Sequence, residues 1–463
     1  MAGILDRRIW CGVALRTLLA GLGAAPRLVG RVEIASPLSS LVRVREGLAL
    51  GDQGLSPYTG DAYHGPPLAL SVFSGVARHP LWSLAPLIAA DVASAALLSR
   101  LAQLWGLSPG WKSAGVLYLL NPLTVLACVG GSLGSIENLL VYVSIYGGAT
   151  SNIPLCAFGL AAAAYWGLHP LLLMLPLCQL MYIGVEPATV ICIHGLTGGS
   201  AHQPAEGLSR FSPVPTARGR EKPPRKGWPG LLLFLCYVAF WIAFLCVLSE
   251  VALRKFKEHS CRSWVLGIRG SAECAEHADD WRYRSAAKHW MAETYGFMLR
   301  VEDLTPNIGL FWYFFTEMFD NFRSFFIFVF HSLSVLFLVP MMVRMPEQPL
   351  VIAVLQCIIN ALFKPYPTIS DIALYMGLLP LFPVLMRHFQ WWFFMCNSFL
   401  LLAVLGPAMW HQWIQVGSAN SNFFYSITLL LAIWQVVLLV MLVDAALSKG
   451  QNLEKESQKT KAE

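Results

Sequence analysis

The sequence is poor in charged residues. Only 13% of its 463 residues are Asp, Glu, Lys or Arg, while 56% are hydrophobic and the mean hydropathy is +0.56. An average soluble domain has about a quarter of its residues charged, so this composition excludes a soluble body of this size. Apolar runs of about 17 to 25 residues, the length that crosses a bilayer core, recur from Ile9 to Val443. The sequence predicts an all-α polytopic membrane protein, because the short alternating segments of a membrane β-barrel are lacking.

Several chemical signals are also missing. The 11 cysteines form no C-x-x-C pair and no Cys/His group with zinc-ligand spacing, so no metal or cofactor is predicted. Cys261 and Cys274 fall in a polar segment and could form a disulfide in an oxidising compartment. The formal net charge of +6 arises from basic residues between the apolar runs, which predicts membrane orientation and no nucleic-acid partner.

The apolar runs predict about twelve transmembrane helices. Arg7 and Arg8 precede the first run and place the N-terminus in the cytosol. The "GLGAA" that follows would suit a signal peptide, but Arg16 interrupts the apolar region and favours a retained anchor. Arg16 must then face protein or snorkel, because an unpaired charge in lipid is costly. The predicted runs, some too short to cross alone, are 9–25, 66–77, 80–104, 113–129, 134–149, 153–167, 169–185, 229–249, 306–319, 323–343, 349–363, 369–386, 390–410 and 423–446.

Polar segments divide the chain into regions. Residues 1–193 form an N-terminal transmembrane half with a first luminal loop at 27–65, and residues 229–446 form a C-terminal half with a luminal insert at 253–300. A basic, disordered cytosolic linker at 194–228 separates them, and a charged cytosolic tail follows at 447–463.

Two short signals suggest where the protein resides. Arg225 and Lys226 end a basic cluster before a span, where they either contact anionic lipid head groups or simply set topology. The final "KTKAE" is similar to a dilysine signal for retrieval to the endoplasmic reticulum. We therefore predict a multi-pass protein of the endoplasmic reticulum membrane.

The first luminal loop has the outline of a sugar-transferase loop. The stretch "GLSPYTGDAYHGPPLAL" resembles a loop of the enzymes that add the first mannose to glycosylphosphatidylinositol (GPI). Those enzymes carry a D-x-D motif upstream, whereas here Glu33 stands alone in "RVEIASPLSS". Asp52 and Asp61 remain as candidate replacements, and we interpret Asp61 and His64 as turn residues with local hydrogen bonds. The loop is predicted to lack its catalytic acid pair.

Longer stretches point to one family. "DLTPNIGLFWYFFTEMF", "YPTISDIALYMGLLPLF" and "WHQWIQVGSANSNFFYSITL" resemble the class U subunit of the GPI transamidase, as do "VEIASPLSSLVRVREGL" and "YLLNPLTVLACV". The resemblance implies a GT-C glycosyltransferase-like membrane architecture without catalytic activity. It implies as partners the caspase-like catalytic subunit and other transamidase subunits, membrane phospholipids and the GPI glycolipid, which this subunit would recognise and present. The alternative is an active luminal GPI mannosyltransferase that uses a dolichol-linked donor.

The resemblance and the residue chemistry suggest four candidate GPI-binding residues. Asn420 and Asn422 precede an apolar span at head-group height, where they could bind the glycolipid or cap the helix. Asp303 and Asn307 either contact ligand or open a helix with Pro306 in its first turn. Arg344 is predicted to lie near lipid phosphates. A series of aromatic residues could line an acyl-chain groove or serve ordinary packing: Phe311, Trp312, Tyr313, Phe314, Phe315, Phe322, Phe325, Phe326, Phe328 and Phe330.

Overall fold

The structure is a computed structural model that describes residues 7–53, 55–79, 82–105, 107, 113–183, 227–265, 290–387 and 391–462. Side chains are described within these ranges except at residues 7, 8, 255–265, 384, 387 and 449–462. In this part of the chain the regular structure is helical, and extended pairing is confined to an isolated bridge between Ser40 and Ser132. The predicted all-α membrane protein is confirmed.

The described part of the N-terminal half contains ten α-helices. They are α1 (Arg7–Gly21), α2 (Ala24–Leu28), α3 (Leu41–Asp52), α4 (Pro67–Phe73), α5 (Ala85–Leu104), α6 (Ala114–Leu120), α7 (Pro122–Val129), α8 (Gly134–Ala149), α9 (Ile153–Trp166) and α10 (Met174–Ile183). Short 3₁₀ segments at Trp82–Leu84 and His169–Leu173 lead into α5 and α10.

The described part of the C-terminal half contains nine α-helices. They are α11 (Gly227–Val265), α12 (Phe297–Arg300), α13 (Phe311–Glu317), α14 (Asp320–Arg344), α15 (Pro349–Phe363), α16 (Ile369–Leu378), α17 (Pro383–Arg387), α18 (Trp392–Trp410) and α19 (Ser421–Ala462). A 3₁₀ segment at Leu379–Leu381 and π-helical turns at Ala292–Gly296 and His411–Val416 adjoin them. The predicted tail at 447–463 therefore continues α19.

Among the residues that the structure describes, five helical segments are long and apolar enough to cross a membrane by themselves. The predicted runs at 66–77 and 306–319 contain helices of only 7 residues, α4 and α13. At about 1.5 Å per residue such helices are too short to cross a bilayer core. The five long segments are Trp82–Leu104, Gly227–Arg254, Asp320–Arg344, Trp392–Val416 and Ser421–Ser448.

Two predicted polar segments are only partly described. Of the linker 194–228, residues 194–226 lie outside the described residues, and Gly227 and Trp228 already belong to α11. Of the insert 253–300, residues 253–265 continue α11 and residues 290–300 are helical, while 266–289 lie outside. The possible disulfide between Cys261 and Cys274 also falls outside the described side chains.

The predicted run 113–129 is two helices, because Pro122 interrupts it. Pro122 has no N–H, and the Asn121 side chain caps the new helix by accepting a hydrogen bond from Leu123 N at 2.9 Å. The Leu119 carbonyl thereby loses its helical donor and instead accepts a hydrogen bond from Arg16 Nη1 at 2.7 Å. A helix break thus creates an acceptor for a buried cation.

Of the two alternatives for Arg16, facing protein or snorkelling, the structure shows the first. Its side chain is fully buried, and its Nη2 lies 2.9 Å from Asp91 Oδ2. Nη2 also donates to Thr124 Oγ1 at 3.1 Å, and Nη1 donates to the Gly12 carbonyl at 3.1 Å. Buried charges are tolerated when paired and hydrogen-bonded in this way.

Hydrogen bonds join the loops that contain Glu33 and Gly131 to neighbouring segments at one end of the helix bundle, which we call the loop end. Ile369 N donates to the Glu33 carbonyl at 2.9 Å, and Leu41 N donates to the Gly131 carbonyl at 2.9 Å. At the opposite end, Gln179 Nε2 donates to the Pro346 carbonyl at 2.8 Å. The first loop is therefore bound directly to the C-terminal half.

Candidate lipid-binding site

A cavity of about 300 Å³ opens at the loop end, between helices of both halves. Leu123 and Leu126 of α7, Ile369 and Ile372 of α16, and residues of α18 and α19 form its walls. Apolar walls with a few polar groups are typical of ligand pockets. The other lining residues are Arg27, Leu28, Arg31, Glu33, Ile34, Ile308, Phe399, Leu402, Ala403, Gly406, Pro407, Phe424, Ile427, Thr428 and Leu431.

The charged side chains of the cavity lining come from the first loop. Glu33 Oε1 accepts hydrogen bonds from Arg31 Nε at 3.0 Å, and Arg31 Nη2 lies 2.8 Å from the same oxygen. Glu33 Oε2 is buried and has no hydrogen-bond partner in the described structure. Arg27 is exposed at the end of the short helix α2. These residues give the apolar cavity two cations and one carboxylate.

Asn420 and Asn422 lie at the start of α19, close to this cavity. Asn420 Oδ1 accepts hydrogen bonds from Asn422 N at 3.1 Å and Phe423 N at 3.4 Å, so Asn420 does cap the helix. Asn422 Oδ1 accepts a hydrogen bond from the Tyr313 hydroxyl. Both asparagines are exposed, and Phe424, which follows closely on α19, lines the cavity. Their amides are therefore exposed near the wall of the cavity that Phe424 forms.

Aromatic residues connect α13 to α19 beside the cavity. The rings of Tyr313 and Tyr425 are stacked with centroids 4.5 Å apart, and those of Trp312 and Trp413 lie 6.1 Å apart. Of the predicted aromatic series, Phe311 and several neighbours pack between α13 and α14, whereas Phe322, Phe325 and Phe328 are exposed. None of the series is among the residues that line the cavity, so ordinary packing explains its buried members.

Asp303 and Asn307 shape the loop beside the cavity. Asn307 Oδ1 accepts a hydrogen bond from Gly309 N at 2.8 Å, and Asn307 Nδ2 donates to the Pro365 carbonyl at 3.3 Å. Asp303 Oδ1 accepts a hydrogen bond from Thr305 N at 2.7 Å. The alternative of a helix start with Pro306 in the first turn is wrong, because α13 begins at Phe311 and these local hydrogen bonds hold residues 303–309 in an irregular loop.

Arg344, one of the three predicted head-group residues, does not line the cavity. Arg344 is exposed at the last residue of α14, near Pro346 at the end opposite the loop end. Arg225 and Lys226 lie outside the described residues. The structure therefore places Asn420 and Asn422 near the cavity, keeps Asp303 and Asn307 in its flanking loop, and separates Arg344 from all four.

A buried ionic cluster at the loop end was missed by the sequence analysis. Lys364 Nζ lies 2.8 Å from Asp371 Oδ1 and 3.2 Å from Glu137 Oε1, and all three side chains are almost fully buried. Burial by itself lowers the pKa of Lys364, but the carboxylates of Asp371 and Glu137 raise it by more, so the net shift is upward. Ionisable residues within or beside apolar runs were the signal that could have revealed the cluster.

The first loop holds its acids apart. Asp52 forms an ion pair with Arg78, Glu33 pairs with Arg31, and Asp61 is exposed in a turn. The interpretation of His64 as a locally bonded turn residue is wrong, because its ring is buried and its Nδ1 lies 3.0 Å from the Glu293 carbonyl. Burial raises the pKa of Tyr58 and Tyr63 well above the usual value, so both phenols stay neutral as donors to loop carbonyls.

Comparison with known proteins places the chain in a family. The model of the family described as GPI transamidase subunit PIG-U matches residues 10–431. The human GPI-anchor transamidase component PIGU is 31% identical over 95% of this chain and 92% of its own length. The GPI transamidase component GAB1 homolog of Schizosaccharomyces pombe is 28% identical over 90% of this chain and 87% of its own.

The more distant GPI transamidase component GAB1 of Saccharomyces cerevisiae is 26% identical over 87% of this chain and 84% of its own. These names support a transamidase subunit and not the alternative of an active mannosyltransferase. The match extends across both halves that form the cavity. The chain belongs to the PIG-U family of GPI transamidase subunits.

Proposed function

We propose that this protein is a non-catalytic subunit that recognises the GPI lipid and presents it to the caspase-like catalytic subunit in the endoplasmic reticulum membrane. The observation that supports this role best is the apolar cavity of about 300 Å³ with Arg27, Arg31 and Glu33 in its lining. Acyl chains suit its aliphatic walls, and a phosphate suits the arginines. Asn420 and Asn422 supply amides for inositol or sugar hydroxyls, while Asp303 and Asn307 fix the loop that carries Ile308 into the wall.

The first loop supports a non-catalytic role. A sugar-transfer reaction needs a carboxylate that can reach the acceptor hydroxyl or hold a metal. In this loop Glu33, Glu46 and Asp52 each pair with a different arginine, and Asp61 is exposed in its turn, so the described loop residues do not provide the acid pair of a sugar transferase. The loop therefore serves as scaffold for the cavity.

Twelve crossings are proposed from the order of the helices. In this arrangement α6 with α7 and α16 with α17 each form one broken crossing, and α2, α3, α4, α12 and α13 stay at the loop end. Twelve crossings return both termini to the cytosol and put the loop end in the lumen, in a GT-C-like arrangement. Arg344, at the opposite end, would then meet phospholipid phosphates on the cytosolic side, as would Arg225 and Lys226.

A lipid analysis tests the role in the cell. Cells that lack this protein should accumulate complete, ethanolamine-bearing GPI, because the block lies at attachment and not at glycolipid synthesis. Accumulation of an under-mannosylated GPI precursor would overturn the proposal in favour of a mannosyltransferase.

A cavity variant tests the site. The Cβ of an alanine at Gly406 would lie 3.8 Å from Ile427 Cγ2, an ordinary contact, so Gly406→Ala is a matched control. Gly406→Leu places three more carbon atoms into the cavity and should lower surface GPI-anchored proteins while the complex still assembles. Equal levels of surface GPI-anchored proteins with both variants, at equal expression, would rule out the cavity as the lipid-binding site.

An asparagine variant separates capping from recognition. Serine caps helices as well as asparagine, so Asn420→Ser combined with Asn422→Ala keeps the cap acceptor and removes both amides. We expect this variant to lose the anchoring of proteins to GPI as fully as a variant that combines Asn420→Ala with Asn422→Ala. Restored anchoring would show that these residues serve helix capping alone.

A further inference from the structure

We infer that Arg27, Arg31 and Glu33 form a recognition site for a zwitterionic lipid head group, in which the arginines bind a phosphodiester and Glu33 binds a primary ammonium. The inference rests on the proposed function, since the apolar cavity beside these residues would hold the acyl chains. It adds a requirement that the apolar walls cannot impose. The head group must carry both a negative phosphodiester and a positive ammonium.

The hydrogen bonding of Glu33 leaves one of its oxygens available. Arg31 engages Oε1 through Nε and Nη2, whereas Oε2 is buried without a partner in the described part of the structure. A buried carboxylate oxygen without a donor is unfavourable. A cationic donor that enters the cavity would satisfy it, and a primary ammonium offers three such hydrogens.

The arginines supply an excess of positive charge for the phosphate. Arg31 keeps its Glu33 contact on one oxygen, and no ion pair or side-chain hydrogen bond joins Arg27 to any described residue. Two guanidinium groups beside one carboxylate leave an excess of one positive charge at the cavity, which favours the binding of a phosphodiester. Guanidinium groups bind phosphate oxygens through paired N–H donors.

Backbone hydrogen bonds hold the turn that carries Arg31 and Glu33 before any lipid arrives. Arg31 N donates to the Leu28 carbonyl at 3.0 Å, and Ile34 N donates to the Arg31 carbonyl at 3.1 Å. The Glu33 carbonyl accepts the hydrogen bond from Ile369 N at 2.9 Å, which joins the turn to α16. A site held in this way loses little conformational freedom on binding.

Two lipids carry the required chemistry. In GPI, the glucosamine ammonium lies next to the inositol phosphodiester, and in phosphatidylethanolamine the ammonium and phosphate share one head group. We assign the site to GPI because the chain is a GPI transamidase subunit. N-acetylation of the glucosamine removes the charge and leaves the sugar, so the acetylated glycolipid is the matched probe.

The test measures binding to the transamidase complex that contains the full-length chain. The probes are glucosaminyl-phosphatidylinositol, its N-acetylated form and phosphatidylethanolamine, in nanodiscs of phosphatidylcholine. We expect the complex to prefer the free amine over the acetylated form by about tenfold, as one charge-assisted hydrogen bond implies. Glu33→Gln should abolish this preference. Arg27→Gln with Arg31→Gln should weaken both glycolipids by about tenfold or more.

Glu46 provides the control. It forms an ion pair with Arg43 on α3 of the same loop, away from the cavity lining, so Glu46→Gln should keep the preference. Glu33→Asp, which retains the charge, should retain part of the preference, and the melting temperature of each variant shows whether it folds. A folded Glu33→Gln complex that still prefers the free amine would overturn the inference.

The remaining outcomes separate this inference from the proposed function. If Gly406→Leu weakens all glycolipids while Glu33 variants leave the amine preference unchanged, the head-group assignment is wrong and the lipid cavity stands. If phosphatidylethanolamine displaces glucosaminyl-phosphatidylinositol at equal concentration, the GPI assignment is overturned. If Gly406→Leu changes no lipid's affinity, the proposed lipid site itself fails.

Discussion

His64 and Phe297 stack face to face, with ring centroids 3.6 Å apart and planes inclined by 10°. The Thr294 hydroxyl adds a hydrogen bond to the Gly65 carbonyl at 3.2 Å. Phe297 also stacks on Tyr366, with centroids 5.5 Å apart, which extends the contact further into the C-terminal half. The first loop is therefore packed against the C-terminal half of the chain, as expected for a scaffold.

The packing of the first loop against the C-terminal half predicts which residues contribute to stability. Phe297→Ala should lower the free energy of unfolding by about 3–5 kcal/mol, because it leaves a cavity beside His64. Asp61→Ala should change it by less than about 0.5 kcal/mol, because Asp61 is exposed in its turn. Thermal melting of the purified protein measures both. Loss of anchoring in a fully stable Asp61→Ala variant would contradict the scaffold role of the loop.

The Arg16–Asp91 pair predicts a large stability effect inside the membrane region. Arg16→Met should destabilise the protein by about 3–5 kcal/mol, because it leaves Asp91 buried without its cation. Adding Asp91→Leu to that variant should recover much of the loss, since an apolar pair needs no counter-charge. Arg43→Met, which breaks a half-exposed pair, is the control and should cost less than about 1 kcal/mol. Equal melting temperatures for the two single variants would contradict this account.

The Lys364 cluster predicts a pH dependence. The pKa of Lys364 is raised in the folded state, so its stabilisation is complete below the unfolded pKa of about 10.4 and is lost as the pH rises through the folded value. Between pH 6 and 9 this residue should therefore cause no change in melting temperature.

Removal of the Lys364 charge should make the stability of the protein depend on pH in the range where the natural protein shows no such dependence on this residue. Lys364→Met leaves Glu137 and Asp371 without a cation and should cost about 3–5 kcal/mol at pH 8. The loss should be smaller at pH 5, because protonation of one carboxylate relieves the repulsion. Lys364→Arg keeps the charge and is the control. A Lys364→Met defect that is equal at pH 5 and pH 8 would argue against the ionic origin.

Glycosylation can report the side of the membrane, because the natural sequence contains no N-x-[ST] sequon. An Asn-Gly-Thr insertion between Gly60 and Asp61, both exposed in a turn, should be glycosylated if the loop end is luminal. The same insertion after Ser448, beyond the last membrane segment, should remain unmodified. The mobility of each variant before and after endoglycosidase treatment gives the answer. The opposite pattern would invert the proposed topology.

The sequence by itself determined the class of protein, the helices and the family. Apolar length decides whether a segment becomes a membrane helix, so α8 and α15 have the predicted bounds 134–149 and 349–363. It also determined that Arg16 must face protein or snorkel, because the cost of a bare charge in lipid does not depend on the fold. The helix cap at Asn420 was one of two alternatives that the sequence left open, because capping depends on residues that are close in the chain.

Only the tertiary structure decided which distant residues meet. The partner of Arg16 is Asp91, and the ring that covers His64 belongs to Phe297, because packing and not sequence spacing brings these residues together. The run at 113–129 bends at Pro122 so that the freed Leu119 carbonyl can accept a hydrogen bond from Arg16. The cavity depends on the same long-range packing, since Glu33 reaches it through a backbone hydrogen bond to Ile369 in the other half of the chain.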